Sequence, residues 1–201
     1  MIAIIDYGMG NLRSVQKALE KVGAKALITN RPTDIQSAKK IILPGVGAMQ
    51  PAMERLKDLH LISVIKQSIK EGKPFLGICL GLQLLFERSN EGGDVTGLGI
   101  LKGRVSRFTS LKVPHMGWNE LNIKNKKCPL MKGIKEKSQV YFCHSYFVDP
   151  TEAKAIATTT DYGRKFVSSV NYKNIYGVQF HPEKSQGIGL TILKNFTKVK
   201  S

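Results

Sequence analysis

Three side chains in this sequence have a thiol, Cys79, Cys128 and Cys143, and one of them sits where a nucleophile would. Gly77-Ile78-Cys79-Leu80-Gly81 follows the apolar pair Phe75-Leu76 and leads into residues of helical character. A nucleophile at the tip of a sharp strand-to-helix turn takes a strained backbone, and its neighbours must be small for the turn to close. Gly77 and Gly81 meet that demand. The N-terminus of a helix behind Cys79 would add unpaired N–H groups and positive dipole, favouring a thiolate and stabilising an oxyanion. Three cysteines without CxxC or Cys/His ligand spacing suggest neither a disulfide framework nor a zinc site.

A thiol nucleophile needs a base, and the chain has four histidines. His60, in Asp58-Leu59-His60-Leu61, reads as a surface residue between helices. His115 and His144 lie in aromatic-rich segments and suit either a core or a site. His181 ends the run Tyr176-Gly177-Val178-Gln179-Phe180 and is followed by Pro182 and Glu183. In extended chain, positions i and i+2 point the same way, so Glu183 can orient the His181 imidazole. The inferred triad is Cys79, His181 and Glu183; a plain surface turn after a strand is the alternative for the last two. Pro44-Gly45-Val46-Gly47 forms a second glycine turn after a strand. It either offers N–H groups to an oxyanion or simply joins strand to helix. Asp6-Tyr7-Gly8-Met9-Gly10-Asn11 invites a dinucleotide reading, but Arg13 stands where G-x-G-x-x-G needs its third glycine.

The elements that must position these residues follow from periodicity. Residues 2–5 form an apolar strand, and Leu12, Val15, Leu19 and Val22 share one helix face that stops at Gly23. Ala24 to Thr29 and Lys40 to Leu43 read as strands, with a turn over Asn30 to Asp34. Helical stretches surround Met53 and Leu56, and then Leu61, Ile65 and Ile69 up to Gly72. Phe75 to Ile78 is a fourth strand, followed by helix-like Leu82 to Glu87. Short apolar strands alternating with helices indicate a mostly parallel sheet flanked by helices, an α/β fold. From Gly103 onward, turn-separated β segments (104–108, 119–123, 140–148, 155–160, 166–172 and 175–180) predict a smaller antiparallel β extension. A closing helix carries Ile192, Leu193, Phe196 and Val199. No linker or repeat divides the chain, so residues 1–201 read as one domain.

The net charge of +16 permits nucleic-acid binding. The basic residues are dispersed, however, and the densest groups, Lys124 to Lys127 and Lys132 to Lys137, are not interleaved with aromatic residues as a base-stacking surface would be. No run approaches the roughly 18 apolar residues that cross a membrane. The N-terminus lacks the pattern of a secretory signal. The expectation is a cytoplasmic protein that binds neither nucleic acid nor membrane.

Pro44-Gly45-Val46-Gly47, Gly77 to Gln83 and Gln179-Phe180-His181-Pro182-Glu183 together resemble the class I (triad) glutamine amidotransferases, in order and spacing over nearly the whole chain. That resemblance implies a flavodoxin-like fold. Two further stretches, Asp6 to Leu12 and Pro114-His115-Met116-Gly117-Trp118-Asn119, are similar to the glutaminase subunits of imidazole glycerol phosphate synthases. The resemblance implies that Cys79 attacks the glutamine amide, releases ammonia and forms a thioester that water hydrolyses. It makes His181 the base and acid and Glu183 its partner. It also implies oxyanion donors at Leu80 and in Gly45, Val46 and Gly47, and places Gln83, His144, Ser145 and Tyr146 at the substrate. Cys143 reads as a structural substitution. The implied partner is the (β/α)8 cyclase subunit, met near Asn11 and Trp118, with no cofactor or metal. The alternatives are another glutaminase of the class, such as the pyridoxal phosphate synthase subunit, a cysteine peptidase on a similar fold, or a basic nucleic-acid-binding module.

Overall fold

A strand buried on both faces has no polar side to show, and strands of this kind make the centre of the molecule. The computed structural model describes residues 1–109 and 111–200; Ser110 and Ser201, both within the 1–201 span, lie outside the described residues. The first half runs β1 (Ile2–Ile5), α1 (Leu12–Lys21), β2 (Ala26–Thr29), α2 (Pro32–Ser37), β3 (Lys40–Gly45), α3 (Met49–Asp58), α4 (Leu61–Lys70), β4 (Phe75–Cys79) and α5 (Leu80–Gln83). The second half is mostly strand: β5 (Phe86–Ser89), β6 (Val95–Thr96), β7 (Leu101–Arg107), β8 (His115–Glu120), β9 (Asn122–Ile123), β10 (Gln139–His144), β11 (Tyr146–Pro150), β12 (Ile156–Asp161), β13 (Lys165–Tyr172) and β14 (Ile175–Val178). A 3-10 turn, Pro182–Lys184, then leads into α6 (Gln186–Lys198).

Strands β2, β1, β3, β4 and β14 lie side by side and parallel. The same sheet continues antiparallel through β13, β11 and β7, while β10 and β8 form a separate antiparallel ribbon. Side-chain alternation divides the core into two layers. Ala3, Ile5, Ile41, Leu43 and Phe75 face Ile35, Leu56, Val64 and Ile65 of α2, α3 and α4. Ile2, Ile4, Ile42, Leu76 and Ile78 face Val15 and Leu19 of α1 and Ile192, Leu193 and Phe196 of α6. The expected mostly parallel α/β fold with an antiparallel β extension is the one observed.

Several local expectations need correction. Asn30 to Asp34 is not only a turn: Pro32 starts α2 at the first helical position, where its missing N–H costs nothing. The helix expected over Leu82–Glu87 is absent. The chain makes only the single turn of α5, and Phe86–Ser89 becomes a strand parallel to β7, with Phe86 buried and Glu87 and Arg88 exposed. The segment 140–148 is two strands that part at Ser145, one joining β8 and the other β7 and β13. Cys128, which directly follows the basic group Lys124 to Lys127, is not solvated. It is 2% exposed and packed among Leu130, Met131, Tyr176 and Phe196.

Candidate active site

Because β3, β4 and β14 are parallel neighbours, their carboxyl ends open on one edge of the sheet, where ligands bind in open α/β folds. Gly45-Val46-Gly47 leaves that edge from β3, Cys79-Leu80 from β4 and His181 just past β14, and Gly45 pairs directly with Cys79. Cys79 has φ 54° and ψ −108°, a backbone conformation that L residues seldom adopt and that costs about 1–3 kcal/mol. Contact enforces the turn. A Cβ on Gly77 would stand 2.5 Å from the Gly81 carbonyl oxygen, and one on Gly81 would collide with the Leu43 carbonyl. The sequence requirement for small neighbours is therefore met on both sides of the cysteine. What α5 cannot supply is a long dipole: at four residues it offers N–H groups at Leu80 and beyond, and little more.

His181 and Glu183 are both buried, and the imidazole Nδ1 lies 2.9 Å from Glu183 Oε1. Their closeness does not come from an extended chain, as expected, but from the 3-10 turn at Pro182–Lys184. That turn is locked in place. The Ser185 hydroxyl donates to the His181 carbonyl at 2.7 Å and accepts from the Tyr141 N–H at 2.9 Å, and α6 comes so near at Gly189 that a Cβ there would collide with the Pro182 carbonyl. Burial by itself would lower the His181 pKa. Hydrogen bonding to Cys79 and Glu183, with their negative charges, overcomes it and raises the value to about 10. A protonated imidazole beside the sulfur stabilises a thiolate and can pass its proton to a departing amine.

Val46, Gly47, Leu80, Gln83, His144, Ser145 and Tyr146 line one cleft of about 300 Å³ with Cys79 and His181. Gly45 lies beneath it, packed on the Tyr7 hydroxyl, which is buried with no hydrogen-bond partner among the described residues. Burial, then the charge of Cys79, raises the Tyr7 pKa. His144 forms part of the cleft wall, with Nδ1 2.7 Å from the Tyr146 carbonyl and Nε2 3.0 Å from His115 Nδ1. Burial pushes His144 down to about 3 and His115 to about 4. His60 is exposed, as expected. Asn11 and Trp118 do not line the cleft. Both are exposed, Trp118 at 46% beside Met116 at 62% on β8.

Sequence reasoning missed four residues that line the cleft, Glu91, Pro114, Cys143 and Lys184, and one that touches the sulfur, Gln179. Lys184 could have been flagged by adjacency to Glu183. Glu91 sits in a polar turn with no local signal, and Gln179 reads as an ordinary strand residue. Among the described residues, no group of three or more His, Cys, Asp or Glu is clustered to hold a metal ion.

Fold and site together define an enzyme with a cysteine and a His–Glu pair at the edge of an open α/β sheet, and the family description glutamine amidotransferase class-I matches residues 3–199. The crystal structure of a glutamine amidotransferase shares the fold, with a TM-score of 0.77 and 16% identity over 98% of this chain and 100% of that one. The imidazole glycerol phosphate synthase subunit HisH of Syntrophotalea carbinolica is 51% identical over 98% of both chains, and that of Aquifex aeolicus 53% identical over 97% of this chain and 95% of its own. The chain belongs to the class I glutamine amidotransferases and, within them, to the HisH subunits.

Proposed function

We propose that this chain is the glutaminase subunit of an imidazole glycerol phosphate synthase, acting in histidine biosynthesis in the cytoplasm as one domain over residues 1–201. It hydrolyses L-glutamine to glutamate and ammonia and hands the ammonia to the cyclase subunit. The observation that carries the chemistry is the strained Cys79 facing a buried His181–Glu183 pair in one cleft. Cys79 attacks the side-chain carbonyl carbon of glutamine. The resulting oxyanion is taken up by N–H groups of Leu80 and of the Gly45-Val46-Gly47 loop. His181 gives its proton to the leaving amine, which departs as ammonia. It then takes a proton from water as the water attacks the thioester, and glutamate is released. Glu183 holds the imidazole and offsets its charge. Ser145 and Tyr146 border the glutamine, and Glu91, a carboxylate in the cleft wall, suits its α-ammonium group. Relatives named as synthase subunits at 51–53% identity support the partner, and Asn11 and Trp118 are the residues we assign to that contact. No helix among the described residues is long and apolar enough to span a membrane.

The test is synthesis by the reconstituted complex with either glutamine or ammonium as nitrogen donor. Cys79→Ala is expected to abolish the glutamine-dependent reaction and keep the ammonium-dependent one. Glutamine turnover undiminished in Cys79→Ala overturns the assignment.

A further inference from the structure

Gln179 is fully buried, and its amide nitrogen lies 3.6 Å from the Cys79 sulfur. Whether it donates to that sulfur or accepts from it depends on which way the amide faces, and its neighbours decide. A backbone carbonyl can only accept. The Tyr146 carbonyl takes the Gln83 Nε2 at 3.0 Å, so the Gln83 nitrogen is fixed on that side. The same nitrogen lies 3.1 Å from Gln179 Oε1, which must accept. Gln179 therefore presents an N–H to the sulfur.

The other lone pair of the Tyr146 carbonyl is occupied in the same one-directional manner. His144 Nδ1 must donate to it, which leaves His144 Nε2 bare and makes His115 Nδ1 the donor across the 3.0 Å contact. His115 Nε2 is then an acceptor, filled by the Asn119 amide at 3.2 Å, and that amide also donates to the Asp161 carbonyl at 2.8 Å. Each link admits one direction only, and both histidines must remain neutral, which their burial favours. The polar chain runs without a break from β8 to the nucleophile.

We propose that Gln179 is a catalytic hydrogen-bond donor to the Cys79 thiolate, and that Gln83, through its side-chain nitrogen, acts as a positioning residue that sets the Gln179 amide. This rests on the reading of Cys79 as the nucleophile. The sulfur stands between opposites. The thiol can donate to the Cys143 carbonyl at 3.9 Å, a contact the thiolate cannot use, whereas Gln179 favours the thiolate. The neutral amide adds this stabilisation without adding a titrating group to a cleft that already holds His181, Glu91, Lys184 and His144, with Tyr7 below.

The experiment is the pH profile of Cys79 alkylation by iodoacetamide in the full chain, read by mass spectrometry of the Cys79 peptide. It is run for wild type, Gln179→Glu, Gln179→Met and Gln83→Met, with kcat and KM of the reconstituted complex in parallel. A lost hydrogen bond to a charged group moves the midpoint by about one pH unit or more. Both Gln179 variants are expected to show that upward shift and to lose about tenfold or more in kcat, with KM nearly unchanged. Gln83→Met should move the midpoint the same way by less. Gln179→Met, apolar and similar in length, decides the matter if the glutamate variant fails to fold. Unchanged midpoints in the Gln179 variants overturn the donor role, and an unchanged one in Gln83→Met overturns the positioning role. Glutamine hydrolysis that survives complete alkylation of Cys79 instead overturns the nucleophile reading, and the proposal with it.

Discussion

Adding one methyl group at Gly77 tests whether the turn at Cys79 is set by contact. In Gly77→Ala the new Cβ would meet the Gly81 carbonyl oxygen at 2.5 Å and the Leu82 nitrogen at 2.7 Å. Ordinary contact for such atoms begins near 3.4 Å, so β4 and α5 must part by roughly 0.5–1 Å. Nothing flexible can yield, because every atom met is backbone. Overpacking of this kind costs about 1–3 kcal/mol, and a chain of this size loses about 2–4 °C of Tm per kcal/mol. The expected fall is therefore about 2–12 °C. The functional loss is larger in proportion, since a displacement approaching 1 Å at a reacting atom costs on the order of 100-fold. Ammonia release by the reconstituted complex measures kcat, and differential scanning fluorimetry measures Tm. Gly187→Ala in α6 is the control: its Cβ meets nothing within 4 Å, so stability should hold or rise by up to about 1 kcal/mol. A Gly77→Ala protein with wild-type kcat and Tm would refute the argument.

His181→Ala should lose on the order of 10²- to 10⁴-fold in glutaminase kcat, while Glu183→Gln, which removes orientation but not the proton carrier, keeps measurable turnover. The His181 pKa lies above its unfolded value, so its contribution to stability is complete below about pH 6.5 and lost as pH rises through about 10; in thermal melts, His181→Ala should flatten that alkaline decline, and an equally steep fall would sink the claim. His115 and His144 carry the opposite sign. With folded pKa values of about 4 and about 3, they make the protein lose stability as pH falls from about 6.5 towards 3, and His144→Gln should reduce that acid sensitivity in denaturation curves. Trp118→Ala should weaken stimulation by the cyclase subunit more than it lowers Tm, because nearly half of Trp118 is exposed. Loss of stimulation only through unfolding would return Trp118 to a packing role.

The turn that holds Cys79 was legible in five residues, Gly77 to Gly81, because the steric limits on a sharp strand-to-helix turn act between neighbours in the chain. The parallel sheet was legible for a similar reason: the continuously apolar runs Ile2–Ile5 and Phe75–Ile78 mark strands that are buried on both faces. His181 and Glu183 could be paired from their spacing, though the bond between them depends on a 3-10 turn held by Ser185 and α6 and not on extended chain. Tertiary structure decided the rest. Phe86–Ser89 reads locally as the tail of a helix and becomes a strand because β7 lies alongside it. Cys128 is surrounded by lysines in the sequence but is buried against Tyr176 and Phe196, which come from distant segments. Gln179 is legible as the first residue of the motif that ends at Glu183, but the direction of its amide is not, because that is set by Gln83 and the Tyr146 carbonyl, 96 positions and about a third as far away along the chain. Steric demands of a turn are met by adjacent residues and so are written in adjacent letters. The donor or acceptor sense of a buried amide is set by whatever folding brings against it.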